Sequence, residues 1–303
     1  MAMVSPEFVR SLSQQIYQPA MRKKADTKHW DWSDFFTVKS SDFAYEQSYR
    51  YTGMGPGVAT GELEPAYYGK FRELGTTTWT HSKYTLGSMW SQEFIEDNRN
   101  LPEIGGAVGE MVQEGLNYIV DYTVAQHFNR AFNSSYPLYD SVELCGTHTL
   151  QKTPATTVAN EMTASSITFD TLWLAINYYE YQLFTHENLP MTSTPKYLLY
   201  HPSQKKTVMK ILDSMGMEPD TTDNNKDTLK KYGLIPVECR FLTSTYWFLL
   251  SDKCKEDFLF YWRVKQETKD DADFDRDAAK IKSRIRFSSG PADWFSILGN
   301  TGA

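Results

Sequence analysis

Tyr45 to Tyr84 reads YEQSYRYTGMGPGVATGELEPAYYGKFRELGTTTWTHSKY, and no regular element can run through its middle. Tyr45, Tyr49 and Tyr51 suggest an extended run. Gly53-Met54-Gly55-Pro56-Gly57 and Gly61-Glu62-Leu63-Glu64-Pro65 follow, a density of glycine and proline that forbids helix or strand. The chain turns β-like again through Thr76, Thr77, Thr78, Trp79 and Thr80 to Tyr84. Two extended arms around a glycine-rich tip predict a long projecting hairpin. Loops this long are functional or disordered. Tyr67, Tyr68, Phe71 and Trp79 speak against disorder, because solvated tails are poor in aromatics.

Downstream of this limb, Ser91 to Asn98 is a short transition. Ile104, Val108, Met111, Val112, Ile119, Tyr122 and Phe128 then recur at threes and fours, predicting one helix from Pro102 to Phe132. At ~1.5 Å per residue it is about 45 Å long. Gly105, Gly106, Gly109 and Gly115 each lower its propensity by about 1 kcal/mol against alanine, so close packing of another backbone is expected there. Asn133 to Ile167 reads as loops and short strands. A helix follows from Phe169 to Phe184, with Leu172, Ile176, Tyr179 and Leu183 on one face, and a buried strand from Lys196 to Tyr200. Ser203 is a cap for a third helix, with Val208, Ile211, Leu212 and Met215 inward and Gly216 as its stop. Pro219 to Lys226 is a polar loop. Ile235 to Phe241 and Tyr246 to Leu250 are strand-like.

Period two is clearest near the carboxy terminus. Lys280, Lys282, Arg284 and Arg286 alternate with Ile281, Ser283, Ile285 and Phe287, so four cations share one face. Asp270, Asp271, Asp273, Asp275 and Asp277 precede them, and Asp257 to Lys265 is strand-like, which predicts a second long hairpin around an acidic turn. Three partners are open to the cationic face: these aspartates, an acidic surface on another copy, or nucleic acid. Exposed pairs are worth only ~0–1 kcal/mol each, so the first would add little stability.

Upstream, Ser5-Pro6-Glu7 opens a short helix through Phe8, Leu12 and Ile16 that Pro19 ends. Arg10, Arg22, Lys23, Lys24 and Lys28 oppose only Glu7 and Asp26, making the arm basic. Packaged nucleic acid, an acidic neighbour and plain solvent are its possible surroundings. A helix this short is marginal alone, so the arm orders against its own chain or another copy.

The chain has 303 residues, 41% of them hydrophobic, enough for one large domain or two joined ones with a sizeable core. Its formal net charge of -7 argues against a nucleic-acid binder working through a strongly basic surface. Aromatics reach 15%, which suits a protein with much subunit interface as well as an aromatic core. Three widely spaced cysteines imply no disulfide framework. The sequence shows neither a signal peptide pattern nor a membrane span, and the expectation is a protein that stays in its compartment of synthesis.

Catalytic chemistry finds little support. Cys145-Gly146-Thr147-His148 pairs a thiol with an imidazole, but a structural zinc site wants four such ligands, and Cys239 and Cys254 stand alone. Gly53 to Gly57 carries Gly-x-Gly-x-Gly with no helix start after it, hence no amide cradle for phosphate. Glu62 and Glu64 can be drawn as an acid and base; on such a tip they are more simply solvated or paired with Lys70 and Arg72. No catalytic, metal or cofactor residue is assigned.

The order of parts is basic arm, glycine-tipped hairpin, long helix, mixed α/β middle and closing hairpin. It resembles the tailed-phage major capsid proteins of the Hong Kong 97 fold. The segments that carry the likeness are Ser91 to Asp97, Pro102 to Phe132, Gly233-Leu234-Ile235-Pro236-Val237, and Arg284 to Phe287 followed by Asp293-Trp294. The resemblance implies an α+β fold with an amino-terminal arm and first peripheral strand (1–45), an extended E-loop (46–86), a peripheral domain with the spine helix (87–140), an axial α/β domain (141–255) and a return to the peripheral domain (256–303). It further implies self-assembly of hexamers and pentamers into an icosahedral virion shell around double-stranded DNA, bound without sequence specificity. Assembly in the host cytoplasm is implied too, with no membrane, and with portal and decoration proteins as possible partners. The short arm leaves room only for a separate scaffolding protein, or none. Glu62, Glu64, Tyr67, Tyr68, Lys70, Phe71, Arg72, Lys280, Lys282, Arg284 and Arg286 are the expected contacts between subunits. An encapsulin-like compartment shares this fold and is the nearest alternative; a hydrolase with an aromatic-lined cleft is the alternative of another class.

Overall fold

Ser5 accepts a hydrogen bond from the Phe8 amide at 3.2 Å and starts α1, Pro6–Leu12, which continues as a π-type turn over Ser13–Tyr17. The computed structural model describes residues 5–20, 30–150, 156–190, 192–213, 229 and 232–303. Val9 and Tyr17 are fully buried, so this helix orders against its own chain. Arg22, Lys23, Lys24 and Lys28 of the basic arm lie outside the described residues.

Trp30, Trp32, Phe35 and Phe36 form the next layer. Phe35 and Phe36 meet Phe128 edge-on at 5.9 and 6.4 Å between ring centres, and Trp32 stacks on Phe260 at 4.9 Å. This packing leads into β1, Thr37–Ser40. The predicted hairpin follows as β2, Tyr45–Tyr51, and β3, Glu73–Thr80, paired antiparallel from Tyr45↔Thr80 to Arg50↔Gly75. Its second arm does not simply fade into a transition. After His81 it becomes β4, Ser82–Ser91, and joins a different sheet.

The Ser91 hydroxyl caps the short helix α2, Gln92–Asp97, and the spine helix α3 runs from Leu101 to Asn129, about 44 Å at 1.5 Å per residue. Val112, Leu116, Val120, Val124 and Phe128 recur every four residues and are buried. Three of its four glycines are notches for neighbours. A Cβ on Gly109 would lie 2.7 Å from the Tyr17 carbonyl oxygen, one on Gly105 3.0 Å from Ile16 Cγ2, and one on Gly115 2.8 Å from Leu86 Cδ2. Gly106 faces open space.

The middle of the chain holds β5, Thr147–Thr149, β6, Thr157–Ala159, and β7, Glu161–Met162. A Thr168–Thr171 capping box starts α4, Phe169–Gln182, and Leu172, Ile176, Tyr179 and Leu183 are all fully buried, as their spacing predicts. β8, Pro195–Tyr200, leads to α5, Lys205–Asp213. Ser203 is not the cap. His201 accepts from the Ser203 amide at 3.2 Å and starts a 3-10 turn, because Pro202 already occupies the first helical position. Met215, Gly216 and the Pro219–Lys226 loop lie outside the described residues. Gly233, at φ +61°, turns the chain into β9, Ile235–Glu238, which stops three residues short of Phe241; β10 is Trp247–Ser251.

The closing hairpin is β11, Phe258–Asp273, with β12, Ala278–Pro291. Its acidic turn is shorter than expected. Asp270, Asp271 and Asp273 sit within β11, opposite Ile281, Lys280 and Ala278, leaving only Phe274, Asp275, Arg276 and Asp277 between the strands. Arg284 to Phe287 lies in β12, Asp293 and Trp294 are buried, and β13, Ile297–Asn300, joins the second sheet.

Two sheets result. The first is four-stranded, β1-β11-β12-β4, with α3 packed on it; the second is five-stranded, β7-β13-β10-β8-β9. Trp247, Phe248, Phe258, Phe260, Phe287 and Trp294 are fully buried where the two meet the helices. Part of the aromatic excess is therefore core.

Candidate assembly interface

Arg50, near the end of β2, fastens the root of the projecting hairpin. Its Nη2 reaches Asp257 Oδ1 at 3.0 Å, its Nε lies 3.4 Å from Asp293 Oδ2, and it also donates to the main-chain oxygens of Glu256 and Ala292 at 3.3 Å. Tyr139 donates to Asp293 at 3.0 Å and lies as close to His186 Nε2. One guanidinium thus serves two buried carboxylates. Burial, with the Asp257 charge beside it, pushes Asp293 up to about 7; burial also raises Asp257, which Arg50 partly offsets. The Gly53 amide donates to Glu187, and a Cβ on Gly75 would touch Tyr139 at 3.0 Å. A cavity of about 450 Å³ sits beside this root, lined among others by Arg50, His186, Lys253 and Asp257.

Beyond the root the hairpin leaves the body of the molecule. Thr52 and Arg72 close the ladder: the Thr52 amide donates to the Arg72 carbonyl and the Arg72 amide to Thr52 Oγ1, both at 2.9 Å. Residues 53–72 then form no strand. Glu64 accepts from the Gly61 amide at 2.9 Å and bends the tip, with Leu63 at φ +68°. Tyr68 is 83% exposed, Leu63 is wholly so, and Met54, Val58, Tyr67 and Phe71 are each more than half exposed. Of the expected contact residues here, Glu62, Glu64, Tyr67, Tyr68, Lys70, Phe71 and Arg72 all face solvent. Among the described residues no ion pair joins Glu62 or Glu64 to Lys70 or Arg72. Both carboxylates are open to solvent, and among the described residues Phe71 meets Tyr51 edge-on at 6.2 Å while Tyr67 and Tyr68 stay exposed.

The cationic face of β12 is divided. Lys280 pairs with Asp273 and Arg284 Nε donates to Glu267 Oε2 at 2.7 Å, lowering both carboxyls. Lys282 and Arg286 form no ion pair among the described residues. The aspartates therefore account for one of the four cations and a glutamate for another.

Sequence reasoning missed the Arg50–Asp257–Asp293 cluster. Its members stand 207 and 243 residues from Arg50, and no spacing rule joins them. The Cys145–His148 pair is apart in chemistry. His148 Nδ1 bonds Asp140 at 2.6 Å and its ring stacks on Trp294 at 4.2 Å, while burial raises the Cys145 thiol. Burial also pushes Cys239 and Cys254 up to about 12, so none of the three is an activated nucleophile. Among the described residues no three His, Cys, Asp or Glu side chains are grouped to hold a metal ion, and no helix is long and apolar enough to cross a membrane.

Comparison with known proteins matches residues 74–300 to a family model described as phage capsid protein. No curated protein sequence matches. Among solved structures, the capsid of cyanophage P-SCSP1u superposes with a TM-score of 0.58 at 10% identity, covering 91% of this chain and 89% of that one. The procapsid of bacteriophage JBD30 gives 0.53 at 12% identity, over 99% and 77%. A virus-like particle from Pyrococcus furiosus gives 0.54 at 8%, over 93% and 96%. At these identities the structures show a shared fold alone; the family rests on the sequence model, which favours the phage capsid over the encapsulin-like alternative.

Proposed function

This chain belongs to the phage capsid protein family, and we propose that its copies close into an icosahedral head of hexamers and pentamers around double-stranded DNA. It is a major capsid protein of the Hong Kong 97 type, and the virion capsid is its place. Its task is structural, without catalysis. The hairpin around residues 46–86 acts as the E-loop, α3 as the spine, the four-stranded sheet as the core of the peripheral domain, and the five-stranded sheet as the core of the axial domain.

The observation that carries this reading is the split within the hairpin. Its root is fixed to its own chain through Arg50, while Leu63, Tyr67 and Tyr68 beyond it are left largely exposed. Apolar surface is worth ~25 cal/mol per Å² when removed from water, and a free chain leaves that gain unused. A second copy supplies the cover. Summed over a closed shell, many such modest contacts hold what no single one could. The lumen needs no strong attraction for its contents, which fits a net charge of -7 and DNA held without sequence readout. Assembly proceeds in the host cytoplasm.

Deleting Gly53 to Gly69 tests this. The expected result is a folded, soluble subunit that forms no particles in electron micrographs. Normal shells from the deleted chain would overturn the role of the loop.

A further inference from the structure

Lys282 of β12 stands directly opposite Lys269 of β11. Like charges facing each other across an antiparallel ladder are destabilising. Glu267 lies 3.6 Å from Lys269, but Arg284 also claims that carboxylate, and Lys282 has no ion-pair partner among the described residues. On the other side of Lys282 the ladder partner is Gly87, where the β12 backbone comes so close that an added Cβ would meet the Ile281 oxygen at 2.5 Å, and a groove of about 220 Å³ lies alongside. Lys83 lines the same groove, and Met89, two residues along β4 from Gly87 and so on the same face, is 54% exposed. The result is a concave basic strip with an apolar end.

The convex complement is on the same hairpin. Asp270 to Asp277 carries five aspartates against Arg276, and Phe274 at its apex is 91% exposed. Asp273 is engaged by Lys280; Asp271, Asp275 and Asp277 face solvent. The apex of this turn is held off its own groove, while Asp271 lies on the groove's own face, opposite Lys280 and two residues along β11 from Lys269. Asp277 and Lys282 are five residues apart on a rigid strand, about 17 Å.

We propose that the groove around Lys282, Lys269, Lys83 and Gly87 receives the acidic turn of a second copy of this chain, with Asp275 meeting the lysines and Phe274 seated against Met89. The inference rests on the shell reading above and names a second contact for it. Because the groove and the turn are different surfaces of one subunit, the contact is head-to-tail, and repetition about an axis closes a ring. Complementary charge then sets register and partner choice. The projecting loop is a poorer occupant, with only Glu62 and Glu64 between Gly53 and Gly69. Nucleic acid would leave Phe274 unexplained.

The test reverses charge in the full-length protein. Lys282→Glu and Asp275→Lys each lower particle yield by about ten-fold at physiological salt, and the two together restore it to within about two-fold. Circular dichroism of the dissociated subunits shows each variant folded. Wild-type shells with yields indifferent to either reversal, or a double reversal that fails to restore them, overturn this contact alone. Normal shells from Lys282→Glu that package less DNA also overturn it, and assign the groove to phosphate. A wild-type chain that never leaves the monomer overturns the shell reading and this contact with it.

Discussion

A Cβ on Gly109 would stand 2.7 Å from the carbonyl oxygen of Tyr17, so the spine helix is notched to admit the backbone that follows α1. Alanine normally gains about 1 kcal/mol over glycine inside a helix. At Gly109 that gain is outweighed, because neither backbone can yield without disturbing Tyr17, which is fully buried. Gly109→Ala is expected to lose ~1–3 kcal/mol through overpacking. Gly106, with nothing within 4 Å of its added Cβ, shows the opposite sign and gains up to about 1 kcal/mol. Urea midpoints of the two variants check this pair; shifts of the same sign would refute it.

Why the spine was readable and its anchoring was not follows from distance along the chain. Val112 and Phe128 announce a helix through local spacing and lie on its buried face, although Met111 and Tyr122 of the same spacing are exposed, and the tip at Gly53 to Gly61 announces itself by composition. The alternation from Lys280 to Phe287 likewise fixes which side chains face outward. No local signal joins Arg50 to Asp257 and Asp293, or tells that β13 crosses to the sheet of β10. The aspartates misled for a physical reason. A run of acids reads as a turn, yet opposite Lys280 the pleat of an edge-exposed strand accommodates Asp271 and leaves Lys280 free to reach Asp273.

Trp32 Nε1 donates to Asp121 Oδ1 at 2.6 Å, and Trp30 Nε1 to the Asp121 main-chain oxygen at 3.3 Å. Both rings and the carboxylate are buried. Asp121→Ala strands the Trp32 indole N–H, at a cost of ~1–3 kcal/mol. Asp121→Asn keeps an accepting oxygen and is expected to lose clearly less. Equal losses in chemical denaturation would show that the hydrogen bond is not what ties the aromatic layer to the spine.

Tyr67, Tyr68 and Phe71 separate folding from assembly. Each is exposed in the subunit, and surface substitutions away from buried features usually stay within about 0.5 kcal/mol. Replacing all three with serine is expected to leave the subunit melting curve in place while sharply reducing particles seen by light scattering. A melting curve that falls with the triple change would mean that these rings cover their own chain.

The root of the hairpin carries a pH dependence of unusual sign. Asp293 is raised to about 7 from its ordinary 3.8, chiefly by burial and then by the Asp257 charge. The folded chain therefore keeps a proton that the unfolded chain has already released. Its contribution to stability is whole below about pH 4, and it is lost as pH rises through 7. Half-buried His127, held down to about 4 by desolvation and by Arg130, works the other way: stability grows as pH climbs from 4 toward 6.5. The clean quantity is consequently the difference between wild type and Asp293→Asn. Asparagine preserves the Oδ1 acceptor for Tyr139 and leaves Arg50 matched with Asp257 alone. Relative to wild type, the variant should gain urea resistance between about pH 4 and 7 and level off above, the interval in which the folded chain keeps a proton that the unfolded chain has released. A difference that stays flat or shrinks over that range would mean that Asp293 is already ionised at low pH, with Arg50 sufficient for both carboxylates.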